Sequence, residues 1–160
     1  MPSFSDIPDH IGRLIADHTR LYLEHPEQAH MWDSSAVGVP GPVPTLLLTT
    51  TGRKTGKERH APLLYLQQGE AYVVIGSKGG NPDDPIWYRN LQSNPQCDIR
   101  VGAHRTRARA RVLDGEEREV VWTEIVRQYP VYVKYQARTD RQIPVIVLEP
   151  IRAEPDPRRV

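Results

Sequence analysis

The stretch TLLLTTTGRKTGKERHAPLLYL, residues 45–66, decides the fold. Thr45 to Thr51 and Ala61 to Leu66 are β-branched or apolar and read as two strands, parted by a turn rich in glycine and cations. Ala71 to Ile75 follows the turn Gln67-Gln68-Gly69-Glu70 as a third strand, so two hairpin-like connections come in succession with no helix between them. That succession favours an antiparallel sheet or small barrel over a doubly wound fold.

Downstream, Asp84-Pro85 is expected to cap and open a short helix through Trp87 and Leu91 that stops at Asn94-Pro95. Strands resume at Asp98–Val101 and Thr106–Leu113. Asp114 and Glu117 resemble a capping box before a helix whose face carries Val121, Trp122, Ile125, Val126 and Tyr129. Pro130 interrupts that helix, and Ile143–Leu148 is the last strand. Upstream, residues 9–24 place Ile11, Leu14, Ile15, His18, Leu21 and Tyr22 at helical spacing, with Asp9 as candidate cap and His25-Pro26 as stop. The stretch Val37–Pro44 holds three prolines at every second position and is expected to run extended and unpaired.

The chain has 160 residues with 21 Lys+Arg against 20 Asp+Glu, a formal net charge of +1. It is expected to be a single domain over 1–160: a helix and proline-rich arm (1–44), a core (45–150) and a loose tail (151–160). A chain of this size buries roughly 68–70% of its unfolded surface, enough for a core without staples. The lone cysteine, Cys97, excludes a disulfide framework and multi-thiolate metal sites. Near-neutral charge argues against a general nucleic-acid binder. No stretch approaches the roughly 18 apolar residues of a membrane span, and the N-terminus lacks the pattern of a secretory signal. A cytoplasmic location is expected. Seven of the aromatics are Tyr and only one is Phe.

The turn Gly52–Arg59 carries four cations and one carboxylate. It is no Walker loop: three residues rather than four part its glycines, Glu58 follows Lys57, and a strand rather than a helix comes next. A glycine-permitted turn with Arg53, Lys54 and Lys57 suits a phosphate or carboxylate, and equally an ordinary solvated hairpin tip. Ile75–Gly80 places Lys78 among small residues ahead of a helix start, a second loop suited to an anion.

Taken in order, Leu46–Gly56, Ser77-Lys78-Gly79-Gly80, Trp87-Tyr88, Asn90-Leu91, Asn94-Pro95, Tyr129-Pro130, Tyr132, Tyr135 and Thr139-Asp140-Arg141 resemble the deazaflavin (coenzyme F420)-dependent nitroreductase family of actinobacterial oxidoreductases. The resemblance spans about residues 42–150. It implies an α+β, mainly β fold, a split β-barrel like that of FMN-binding oxidases, holding a deazaflavin that delivers hydride to a hydrophobic, electron-poor quinone, enone or nitroaromatic. It also implies that Arg53, Lys54, Thr55, Gly56 and Lys57 hold the phosphate and polyglutamate tail. Ser77, Lys78 and Gly79 would lie along the cofactor, and Pro62, Leu63 and Trp87 near its ring. Tyr129, Tyr132 and Tyr135, with Ser77, would line the acceptor pocket, and in the reaction a Tyr hydroxyl or water is expected to hydrogen-bond the developing anion and return a proton. Asp83 and Asp84 depart from the family pattern and are expected to repel the tail. FMN in the same fold, and a non-enzymatic barrel carrying a cofactor or fatty acid, are the alternatives.

Other features carry blander readings. Spacing alone would place the three tyrosines in the core, and the resemblance reverses that. Arg105, Arg107, Arg109 and Arg111 alternate along a strand and share one face, without the interleaved aromatics of a nucleic-acid surface. His18 and His25 share a helical face but form no i, i+4 pair, so no metal site is expected. Cys97 reads as packing. The first helix is expected to pack on the barrel, with pocket cover or contact with a quinone-bearing membrane as its other roles. Oligomeric state is not read.

Overall fold

The computed structural model describes residues 9–151. Helix α1 (Asp9–Glu24) leads into a single-turn α2 (Pro26–Ala29) and a short strand β1 (Met31–Asp33). Then come β2 (Pro42–Thr51), β3 (Glu58–Leu64), β4 (Leu66–Gln68) and β5 (Ala71–Ile75). Helix α3 (Ile86–Ser93) precedes β6 (Gln96–Val101) and β7 (His104–Val112), and α4 (Gly115–Gln128) and α5 (Val131–Ala137) precede β8 (Val145–Pro150). The Asp9 side chain and the tail from Arg152 onward, expected as a cap and a loose end, lie outside the described residues.

Eight strands form one curled sheet in the order β1-β2-β6-β7-β8-β5-β4, with β3 on β2. Every pairing is antiparallel, as the mainly β, antiparallel expectation requires. The run Leu46-Leu47-Leu48 is apolar throughout because both faces of β2 are covered. Leu46 and Leu48 pack with Val74, Ile99, Ile146 and Leu148, whereas Leu47 packs with Tyr22 and Ala29 beneath α1 and α2. Strand β8 repeats the logic: Val145 and Val147 meet Val121, Ile125 and Tyr132 of α4 and α5.

The proline arm corrects the expectation. Residues 35–37 form a 3-10 turn, and Pro42–Pro44 pair with β1 in the register Met31↔Pro44, Trp32↔Val43 and Asp33↔Pro42. Prolines at every second position put all their missing donors on one edge and leave the alternate N–H groups for pairing. Thr45 N–H accordingly donates to the His30 carbonyl at 2.7 Å.

Two expected caps are also corrected. Pro85 is the N-cap of α3, and Asp84 instead accepts from Arg141 Nη1 at 3.0 Å. Asp114 caps α4 without a side-chain bond, while Glu117 accepts from Arg111 Nη1 at 2.6 Å. Arg105, Arg107, Arg109 and Arg111 are all exposed on one face, as their alternation predicts. Cys97 is buried with its thiol pushed up to about 12 by burial, which suits packing.

Candidate functional site

A cavity of about 1730 Å³ opens between the basic turn, β3, the 77–82 loop, α1 and α5. Hydrogen bonds to residues distant in sequence fix its floor. Asn90 on α3 is buried; its Oδ1 accepts from the Arg53 backbone N–H at 3.1 Å and its Nδ2 donates to Thr50 Oγ1 at 3.1 Å. This one amide clamps the basic turn to α3. Its position three residues after Trp87, on the apolar stripe of a helix, was a readable sign of a buried polar role.

Arg141 does the same for the second loop. Its guanidinium donates to the carbonyls of Gly76 (3.1 Å), Ser77 (2.8 Å) and Asn81 (2.9 Å), as well as to Asp84. Four acceptors on one planar fork hold a loop in which Lys78 has φ 44, a conformation uncommon outside glycine. The pair with Arg141 also neutralises Asp84, which removes half of the repulsion expected of Asp83 and Asp84.

The site residues read from sequence divide into three groups. Arg53, Lys54, Thr55, Pro62, Leu63, Ser77, Lys78, Gly79 and Trp87 all line the cavity. Gly56 and Lys57 do not; they close the turn, with Gly52 N–H donating to the Lys57 carbonyl at 2.8 Å. The tyrosines separate because Pro130 breaks the helix, leaving Tyr129 at the end of α4 and Tyr132 and Tyr135 on α5.

Tyr129 is core. Its hydroxyl donates to the Tyr65 carbonyl at 3.1 Å and accepts from Gln128 Nε2 at 3.0 Å, and it is not on the cavity wall. Tyr135 lines the cavity but donates to the Val37 carbonyl. The Tyr132 and Ser77 hydroxyls have no hydrogen-bond partner among the described residues, and no buried side-chain oxygen or nitrogen there lacks one, so both reach the cavity surface. Burial, reinforced by the neighbouring Tyr129 and Tyr135, raises the Tyr132 pKa well above the usual phenol value. Tyr132 is therefore a neutral donor at any physiological pH.

The cavity's charge is mainly positive, with Asp140 the carboxylate on its wall. Arg53, Lys54 and Arg59 from the basic hairpin and Lys78 and Lys134 from the opposing elements line it, and none forms an ion pair among the described residues. Unpaired cations around a concave surface suit an anionic ligand. The N-terminal helix adds Ile11, Ile15 and His18 to the wall. His18 stacks on Trp32 with centroids 4.8 Å apart, and its Nε2 lies 2.9 Å from the Ala29 carbonyl and 3.3 Å from Thr45 Oγ1. Burial lowers its pKa. Packing and pocket wall are thus both roles of α1, and His18 belongs to its structural contacts.

The model of the F420H(2)-dependent quinone reductase family matches residues 25–150. The chain belongs to this family. Among relatives of this F420H(2)-dependent quinone reductase family member, a Mycobacterium tuberculosis protein named F420H(2)-dependent quinone reductase is 42% identical over 114 residues, 69% of this chain and 76% of the relative. A solved structure described as an F420-H2 dependent reductase superposes with TM-score 0.61 at 43% identity, covering 66% of this chain and 93% of its own. Another, described as a domain-swapped dimer, gives TM-score 0.65 at 36% identity over 89% of this chain and 100% of its own. The deazaflavin resemblance and the split-barrel expectation are borne out. No helix among the described residues is long and apolar enough to cross a membrane.

Proposed function

We propose that this chain reduces a hydrophobic, electron-poor acceptor of the quinone class at the expense of reduced coenzyme F420. The observation that carries this reading is the pairing, in one cavity, of unpaired cations with two uncommitted hydroxyls, Tyr132 and Ser77. An anionic phosphate and glutamate tail fits Arg53 and Lys54, whose turn Asn90 fixes before any ligand arrives. Pro62, Leu63 and Trp87 offer the apolar wall that a ring requires.

When bound, the deazaflavin supplies the hydride. The chain's own residues do the rest. Arg53 and Lys54, with Lys78, bind and orient the anionic end. The Tyr132 O–H donates to the acceptor oxygen, where negative charge grows as the carbonyl is reduced, and it passes a proton that solvent restores. Ser77 Oγ offers a second donor. Ile11 and Ile15 of α1 exclude water from the apolar part of the cavity. A cytoplasmic location fits this reading.

Titrating the purified chain with coenzyme F420 and with FMN, followed by fluorescence, tests the cofactor. Binding of the deazaflavin is expected to weaken in Arg53→Gln and Lys54→Gln, and to weaken with salt more steeply in the parent chain than in either variant. Tight FMN binding without deazaflavin binding would overturn the reading. Deazaflavin binding without turnover across quinones, enones and nitroaromatics would mark a carrier instead.

A further inference from the structure

Trp32 of β1 lies in the cavity wall, in company with the apolar side chains of Ile11, Ile15, Ala36 and Val37. The other two tryptophans pack against the core: Trp87 on the Leu46 and Leu48 cluster, Trp122 on that of Val121 and Ile125. Trp32 is half-buried and yet packs against none of the buried apolar clusters. One face of its indole is stacked on the His18 imidazole, with the planes 5° from parallel, and no second aromatic ring meets it among the described residues. Its Nε1–H makes no hydrogen bond there, and no buried side-chain nitrogen there lacks a partner, so this N–H reaches open space. The surroundings are fixed. His18 is held at the Ala29 carbonyl, and β1 is paired with β2. Asp33 accepts from the Ser35 N–H at 3.1 Å and its Oγ at 2.8 Å, while Ser34 Oγ donates to the Val39 carbonyl at 3.0 Å.

We propose that Trp32 is the aromatic platform of the acceptor site and a specificity-determining residue: the indole face turned from His18 stacks on the flat part of the acceptor remote from its reacting carbonyl, and the Nε1–H donates to a polar atom there. The inference rests on the reductase reading above and adds to it a preference for acceptors with extended flat area. An indole is electron-rich, so an electron-poor ring is its natural offset-stacking partner. An indole N–H at a half-buried position ordinarily has an acceptor, and one left open beside an apolar wall leaves a place for a ligand atom. The stack on His18 and the pairing of β1 hold the ring before any ligand arrives, so a second stack on its other face costs little further ordering. A saturated, puckered ring in the same place would touch the indole at fewer atoms and gain less.

The test uses two fused-ring quinones with the same quinone ring, one with its second ring aromatic and one with that ring saturated. Their dissociation constants are measured by calorimetry on the full chain saturated with oxidised coenzyme F420, which has no hydride to give, so redox potential does not enter. The parent chain is expected to bind the aromatic form about three- to tenfold more tightly, the size of one aromatic stack. Trp32→Leu is expected to bring that ratio close to one. Trp32→Phe, which keeps a ring against His18 but has no N–H, is expected to keep most of the ratio while weakening both quinones about threefold. Lost packing on His18 shows in the denaturation midpoint of each variant and shifts both quinones alike, leaving their ratio to report the stack. Equal affinity of the parent chain for the two forms, or an unchanged ratio in Trp32→Leu, overturns the platform and leaves the reductase reading intact. A parent chain that neither binds coenzyme F420 nor reduces a quinone overturns that reading, and the platform proposal with it.

Discussion

At the scale of single residues, three tyrosines that look alike in sequence have different chemistry because their hydroxyls have different partners. Tyr132→Phe removes a donor that nothing in the described protein uses. Turnover should fall about 10²-fold, the typical cost of a lost oxyanion donor, while the dissociation constant for the deazaflavin stays the same. Tyr129→Phe removes a hydroxyl shared between Gln128 and the Tyr65 carbonyl. It should lower stability in denaturant by about 1–3 kcal/mol and leave turnover of the folded enzyme close to normal. Equal turnover in Tyr132→Phe and the parent would remove that hydroxyl from the reaction. Composition showed a surplus of tyrosine and the resemblance placed three near an acceptor, but only the hydrogen bonds distinguish the one that is uncommitted.

The elements show which local signals survive folding. The strands at 45–51 and 71–75 and the stop at Asn94-Pro95 were legible because β-branching, glycine turns and proline act within a few residues. The expected caps at Asp84 and Glu117 failed for one reason. Each carboxylate found an arginine, Arg141 or Arg111, and a bidentate or multiply bonded guanidinium outcompetes a single backbone N–H. The 77–80 loop adds a constraint that its glycines encode. Gly80 has φ +81, and a Cβ there would sit 2.6 Å from the Tyr135 carbonyl oxygen. Gly80→Ala should therefore cost on the order of 2 kcal/mol, read from the denaturation midpoint, and loosen the loop that carries Ser77 and Lys78. Gly79→Ala, whose Cβ meets nothing within 4 Å at φ +65, should cost roughly half as much.

For the whole molecule, stability should plateau across neutral pH and fall on both sides. His18 is held neutral by burial, with its native pKa below the usual 6.5, so the unfolded chain binds more protons in acid. Stability is lost as pH drops below about 6.5 toward the lowered native value. His18→Gln, which keeps a donor for the Ala29 carbonyl, should flatten that limb in denaturant titrations from pH 7 downward. On the alkaline side Tyr65 is pushed up to about 12 by burial, so stability present below pH 10 declines between 10 and 12. The site itself was least legible at this scale. Asn90 meets Arg53 across 37 residues and Arg141 meets Ser77 across 64, separations at which no local pattern carries information.

The family match spans residues 25–150, whereas Ile11, Ile15 and His18 lie ahead of it on α1. Arg53, Lys54, Tyr132 and Ser77 lie within the matched segment, and part of the cavity wall lies ahead of it. Replacing the apolar residues of α1 is therefore expected to change which acceptors the cavity admits while the affinity for the deazaflavin stays the same.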